Sequence, residues 1–147
     1  MTKKERAAYV AADAELLKSR AAAVADIKHP FPVSDDDHAE TSPEAYADVA
    51  PVLDLIAARL GKDRASLRVY DPYYCAGAVA RHLGALGFER VRNECEDFYA
   101  RAAGGLPEHD VLLTSPAYSG DHIPRCVGSG IPVLRRAASD VSGDVVL

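Results

Sequence analysis

Apolar positions along the chain recur with a helical period, then a strand period, then a helical one again. Behind Ser42-Pro43-Glu44, residues Ala45, Val49, Val52, Leu53, Ile56 and Leu60 return at helical spacing. Ser at the cap, Pro in the first turn and an acid near the positive end of the dipole make that tripeptide a helix start. Gly61 ends the helix. Pro51 lacks an N–H and crowds the preceding turn, so it should kink the helix or split it at Ala50. A short strand is predicted over Leu67 to Tyr70. A helix is predicted over Ala78 to Leu86, with Val79, Leu83 and Leu86 on one face and Gly87 closing it. Phe88 to Cys95 is a strand candidate through Val91, and Asp97 to Ala103 a helical turn or short helix. His109 to Thr114 contains Val111-Leu112-Leu113, a fully apolar buried strand. Strand, helix, strand, helix, strand is the alternation of an α/β fold with a parallel sheet.

The first quarter of the chain differs. Residues 3–28 form an Ala-rich helix candidate with a thin stripe of Val10, Leu17, Val24 and Ile27. Such a helix either packs on the domain or serves as an appendage that docks a protein partner. His29-Pro30-Phe31-Pro32 stops it. Ser34-Asp35-Asp36-Asp37-His38 then reads as a polar linker, a solvated loop or a cation chelator. The expected organisation is a helical extension and acidic linker over 1–40 and a domain over 41–147.

Composition narrows the class. The 147 residues are 48% hydrophobic and 27% charged, which suits one globular domain and excludes collagen-like and disulfide-scaffold classes. A net charge of −5 means that any contact with a polyanion must come from a local basic patch. Beyond residue 60 every basic side chain except Lys62 is Arg. That fits phosphate contact, or a coding bias that also explains the Ala excess. Cys75, Cys95 and Cys126 are odd in number and widely spaced, which reads as reduced thiols and an intracellular setting, cytoplasmic or nuclear. Their spacing asks for no metal. The N-terminus has no apolar signal core, and no apolar run nears the ~18 residues that a membrane span needs.

Three segments carry the candidate chemistry. In Val69-Tyr70-Asp71-Pro72-Tyr73-Tyr74-Cys75-Ala76-Gly77-Ala78, a strand ends in an acid, turns through Pro and Gly, and opens a helix. Doubly wound sheets bind ligands beyond the carboxyl ends of strands, at such turns. Gly77 lets a ligand approach the backbone, the helix start offers N–H groups, and Asp71 either caps the turn or accepts from a ligand ammonium. The second segment, Asn93-Glu94-Cys95-Glu96-Asp97-Phe98-Tyr99, follows the second strand. Glu94 stands 17 residues beyond Gly77, near where nucleoside-binding α/β folds hold a ribose diol. The third runs from His109 to His122, where the apolar strand leads straight into Ser115-Pro116-Ala117-Tyr118.

That third segment resembles motif IV of the class I S-adenosylmethionine-dependent methyltransferases that modify exocyclic amines of bases, the N6-adenine and N4-cytosine type. Their pattern is Asp, Asn or Ser followed by Pro-Pro-Tyr or Pro-Pro-Phe. Asp71 to Gly77 resembles their motif I, Asp-Pro-Phe-x-Gly-x-Gly, and the likeness covers roughly residues 45–125. It implies a three-layer Rossmann-like methyltransferase sheet with S-adenosylmethionine as cofactor. Asp71, Tyr73 and Gly77 would then touch the donor, and Glu94 or Asp97 its ribose or adenine. Ser115 and Pro116 would accept from the target amine, and Tyr118 would stack on a base in DNA or RNA.

Three departures temper the expected activity. Ala117 replaces the second Pro, which would restrict Pro116 and aim its carbonyl. Cys75 stands at the first Gly of motif I. The 25 residues after His122 supply at most one or two short strands, through Ile131-Pro132-Val133-Leu134 and Val145-Val146-Leu147, so the sheet should be incomplete. Poor turnover or none is expected. The alternative function is a catalytically inactive nucleoside-binding or protein-interaction domain derived from that family.

Overall fold

The structure is a computed structural model that describes residues 28–34, 37, 40–117, 119–128 and 145–146. The predicted 3–28 helix, apart from Lys28, therefore lies outside the described residues, as do Tyr118 and the Ile131 to Leu134 segment. The elements are α1 (Pro43–Arg59), β1 (Arg68–Tyr70), α2 (Ala78–Ala85), β2 (Arg90–Arg92), α3 (Phe98–Ala103), β3 (Val111–Leu112), α4 (His122–Gly128) and β4 (Val145–Val146).

Helix α1 starts as its sequence dictates, with the Ser42 hydroxyl accepting from the Ala45 N–H at 3.3 Å. It does not split at Ala50, a correction to the expectation drawn from Pro51. Pro51 is exposed, and so is Ala47 one turn earlier, whose carbonyl loses its helical donor; water can satisfy it on that face. Helices α1 and α2 end alike. The N–H groups of Gly61 and Lys62 close onto Ala58 and Ala57, and those of Gly87 and Phe88 onto Gly84 and Leu83, both glycines at positive φ.

The sheet is parallel, in the order β2-β1-β3-β4. Val69 pairs with Val91 on one side and Val111 on the other. Strand residues alternate between two apolar layers, as the two-residue period of a strand requires. Val69 and Val111 join Leu53 of α1, Leu83 of α2 and Phe88 in the larger cluster. Tyr70 and Leu112 point the other way, to Phe98 of α3 and Cys126 of α4. Helices thus cover both faces of a small α/β sheet, and the chain leaves β2 to return on the far side of β1. Strand order reverses between β1 and β3, where doubly wound sheets open a crevice.

The opposite end of the sheet is pinned by charge. The largely buried Asp110 takes Lys62 Nζ at 2.5 Å and both the backbone N–H and the guanidinium of Arg68. Burial opposes its ionisation, yet these hydrogen bonds hold its carboxyl well below the usual carboxylate range. Its contribution to stability is therefore present above about pH 4 and is lost as pH falls below that.

Two substitutions check this packing. Leu83→Ala, at a site with no exposed surface, should cost about 2–5 kcal/mol. Pro51→Ala should raise stability by about 2 kcal/mol. The interior-Pro penalty is about 3 kcal/mol, and the unfolded-state benefit of Pro offsets up to about 1 kcal/mol of it. Urea unfolding measures both, and a Pro51→Ala midpoint below wild type would contradict the account of α1.

Candidate ligand-binding site

Beyond the carboxyl ends of β1 and β3 lies a cavity of about 530 Å³. Its floor is set by residues just after each strand, Asp71 after β1 and Thr114 after β3. Asp71 is 6% exposed, and Thr114 donates its hydroxyl to Asp71 Oδ1 at 2.8 Å across the two strand ends. The Tyr73 N–H reaches the same oxygen at 3.1 Å, so Asp71 caps its own turn. Asn93 donates to the carbonyls of Asp71 and Tyr73 and ties the loop to β2. Among the described residues, no salt bridge reaches Asp71.

Burial, opposed by hydrogen bonds from Thr114 and Tyr73, pushes the Asp71 carboxyl up to about 7, and the charge of Glu40 acts in the same direction as burial. The same burial raises Cys75 to about 12, so it is a neutral thiol at physiological pH.

The turn after Asp71 shows why a glycine pattern belongs there. Cys75 has φ +48° and Gly77 φ +74°, so both positions that are Gly in the resembled motif adopt the left-handed region. A side chain at that φ is strained by about 1–2 kcal/mol. The close ligand approach expected at Gly77 is not open, because the Tyr74 ring lies where a Cβ on Gly77 would sit, with its Cε2 2.9 Å away. The N–H of Ala76 is engaged too, by Glu40 Oε1 at 2.6 Å.

Glu40 belongs to a segment read as linker, and that reading is corrected. His29, Phe31, Ser34, Asp37 and Glu40 line the cavity. Asp37 accepts from the N–H of Ser119 at 3.1 Å and also from its hydroxyl. His29 Nδ1 meets Cys95 Sγ at 3.5 Å, and its ring lies edge-on to Tyr74. The described part of 28–40 thus straps over the carboxyl end of the sheet.

The other wall is aromatic. Tyr73, Phe98, Tyr99 and His122 line it, with ring centroids 5.2–6.3 Å apart. The Tyr73 and Tyr99 hydroxyls are 3.1 Å apart, and the Tyr99 hydroxyl lies 2.6 Å from His122 Nδ1. The Arg125 guanidinium sits 3.6 Å over the Tyr99 ring.

The structure brings together Asp71, Tyr73, Asp97 and Ser115 of the predicted site. Asp97 does so as the N-cap of α3, accepting from Tyr99 and Ala100. Glu94 is not brought in. It is exposed and paired with Arg92 at 2.8 Å, while Glu96 lines the cavity instead. Pro116 lies beside the lining without joining it, and Ala117 does join it. Sequence reasoning missed Glu40 and Arg125, and it placed Glu96, Tyr99 and His122 within candidate segments without giving them a role in the site. Only the Phe98-Tyr99 pair, facing Tyr73-Tyr74, offered a signal of an aromatic wall.

Comparisons with known protein families, with curated proteins and with solved structures find no match. Among the described residues, no helix is long and apolar enough to cross a membrane.

The raised Asp71 has a definite consequence. Between pH 3.8 and about 7 the folded chain holds this proton more tightly than the unfolded one. The contribution of Asp71 to stability is therefore fully present below that window and declines as pH rises through it. Asp71→Asn keeps an acceptor for Thr114 and removes the titration. Wild type should lose on the order of 1–3 kcal/mol relative to Asp71→Asn between pH 5 and pH 7.5, read by urea unfolding; parallel pH profiles would contradict the burial of an ionisable Asp71.

Proposed function

We propose that the cavity binds S-adenosylmethionine and that the protein is an N-methyltransferase acting on an exocyclic amine of a nucleic-acid base. One observation carries this reading. Asp71 and Ser115, from the segments that resemble the donor-binding and amine-binding motifs, follow adjacent parallel strands and open into one cavity where strand order reverses.

The lining suits such a donor. An ammonium or sulfonium would find a buried carboxylate at Asp71, which no cation among the described residues neutralises, and aromatic faces at Tyr73 and Tyr99. The left-handed backbone at residues 75 and 77 matches the glycine positions of the resembled loop. When bound, the donor supplies an electrophilic methyl group on a sulfonium, so the chain's residues need only position and polarise.

Ser115 would accept from the amine N–H, favouring a more tetrahedral nitrogen whose lone pair is freed from the ring. The Pro116 carbonyl would do the same from the next residue. Asp71 would hold the donor, and the lining residues His29, Phe31, Ser34, Asp37 and Glu40 would exclude water from the cavity. Two features slow the site: Ala117 leaves the Pro116 carbonyl less firmly aimed, and Glu40 and Tyr74 occupy the turn that the donor would approach. Glu40 must be displaced or shared when a carboxylate-bearing donor arrives.

Calorimetry and radiolabelled methyl transfer test this. S-adenosylmethionine should bind wild type, with Asp71→Asn weakening it by about 1–3 kcal/mol, roughly 5- to 150-fold. Ser115→Ala should lower turnover on single-stranded DNA or RNA about ten- to a hundredfold while leaving donor affinity intact. Equal donor affinity in wild type and Asp71→Asn would remove the site.

A further inference from the structure

The wall opposite the strap holds a string of polar groups that donor binding does not use. It runs from the buried Cys126 thiol to the Tyr73 hydroxyl, on to Tyr99 and ends at His122. Tyr73, Tyr99 and His122 all line the cavity. Because Nδ1 of His122 is engaged by Tyr99, Nε2 is the ring nitrogen left to address a ligand.

The direction of the string fixes what Nε2 offers. The Tyr99 to His122 separation is 2.6 Å, and the Tyr73 to Tyr99 separation 3.1 Å. A phenol O–H is the stronger donor of the pair and an imidazole nitrogen the stronger acceptor, so the contact suits Tyr99 donating its O–H to Nδ1. The Arg125 guanidinium packs 3.6 Å over the Tyr99 ring. Tyr73 can then donate to the Tyr99 oxygen, and no hydroxyl proton is stranded. A neutral imidazole that accepts at Nδ1 carries its proton at Nε2.

We infer that His122 is a specificity-determining residue whose Nε2–H donates to the ring nitrogen beside the target amine. This rests on the reading of the cavity as a base-binding methyltransferase site. Ser115 accepts from the amine and His122 donates to its neighbour, an acceptor–donor pair that matches the amine and ring-nitrogen edge shared by adenine and cytosine. Uracil presents the reverse pattern, a carbonyl beside an N–H, and an Nε2–H that meets the uracil N–H is left without its acceptor. Tyr99 is a positioning residue, holding the tautomer without touching the base.

The test uses the full chain with cytidine and uridine as probes, which avoids the donor's own adenine. Nitrogen-15 NMR of the histidine rings should show His122 as the Nε2–H tautomer, and Tyr99→Phe should release it to a mixture of tautomers. Cytidine should bind wild type at least tenfold more tightly than uridine. His122→Gln, which keeps a donor, should hold most of that ratio, and His122→Leu should bring it near one. An Nδ1–H tautomer in wild type, or an unchanged ratio in a folded His122→Leu, overturns this inference alone. Wild type that binds neither nucleoside overturns it together with the reading of function.

Discussion

A side-chain hydrogen bond, from the Thr114 hydroxyl to the buried Asp71 carboxylate, joins the carboxyl ends of β1 and β3 just beyond the backbone bond from the Leu113 N–H to the Tyr70 carbonyl. It crosses the gap where strand order reverses, so it fixes the floor of the cavity and the spacing of the two loops that rise from it. The cost is a carboxylate taken out of water with only two hydrogen-bond donors, on one oxygen, among the described residues. That arrangement raises its proton affinity and makes the fold less stable as Asp71 ionises. At the other end of the same strands, Asp110 has two cations and sits low. The two ends of one sheet therefore carry acids with opposite electrostatics. Asp110, paired with cations, serves stability, and Asp71 is where a ligand charge has most to offer.

Everything around the cavity is arranged relative to that floor. Asn93 fastens the loop after β1, Asp97 starts the helix that presents Tyr99, and the His29 to Glu40 strap closes over the top through Ala76 and Ser119. Glu40 on the Ala76 N–H places a carboxylate of the chain itself at a helix start, the kind of position an anionic ligand group would take.

The sequence was legible wherever interactions are local. Ser42 and Pro43 start α1, Asp97 caps α3, and the run Val111-Leu112-Leu113 lies buried in the sheet, each read from neighbours a few residues apart. Asp71 and Ser115 were found because each directly follows a strand. The strap was missed because its contacts join residues 36 to 82 positions apart, as in Glu40 with Ala76 and Asp37 with Ser119, and leave no periodic trace. Pro51 misled because its penalty falls on a solvated face, where water can take up the carbonyl it leaves unpaired. Glu94 and Glu96 are two residues apart, and which of them faces the cavity depends on the turn between β2 and α3, not on composition.

The proposed donor site depends on Asp71 exchanging a proton for a ligand cation. Calorimetric titration with S-adenosylmethionine at pH 6, in two buffers of different ionisation enthalpy, counts that proton directly. With Asp71 titrating near 7, it is mostly protonated before binding and ionised after, so about one proton should be released per donor bound. Asp71→Asn should release none. Binding without proton release, or release that survives in Asp71→Asn, would contradict the account.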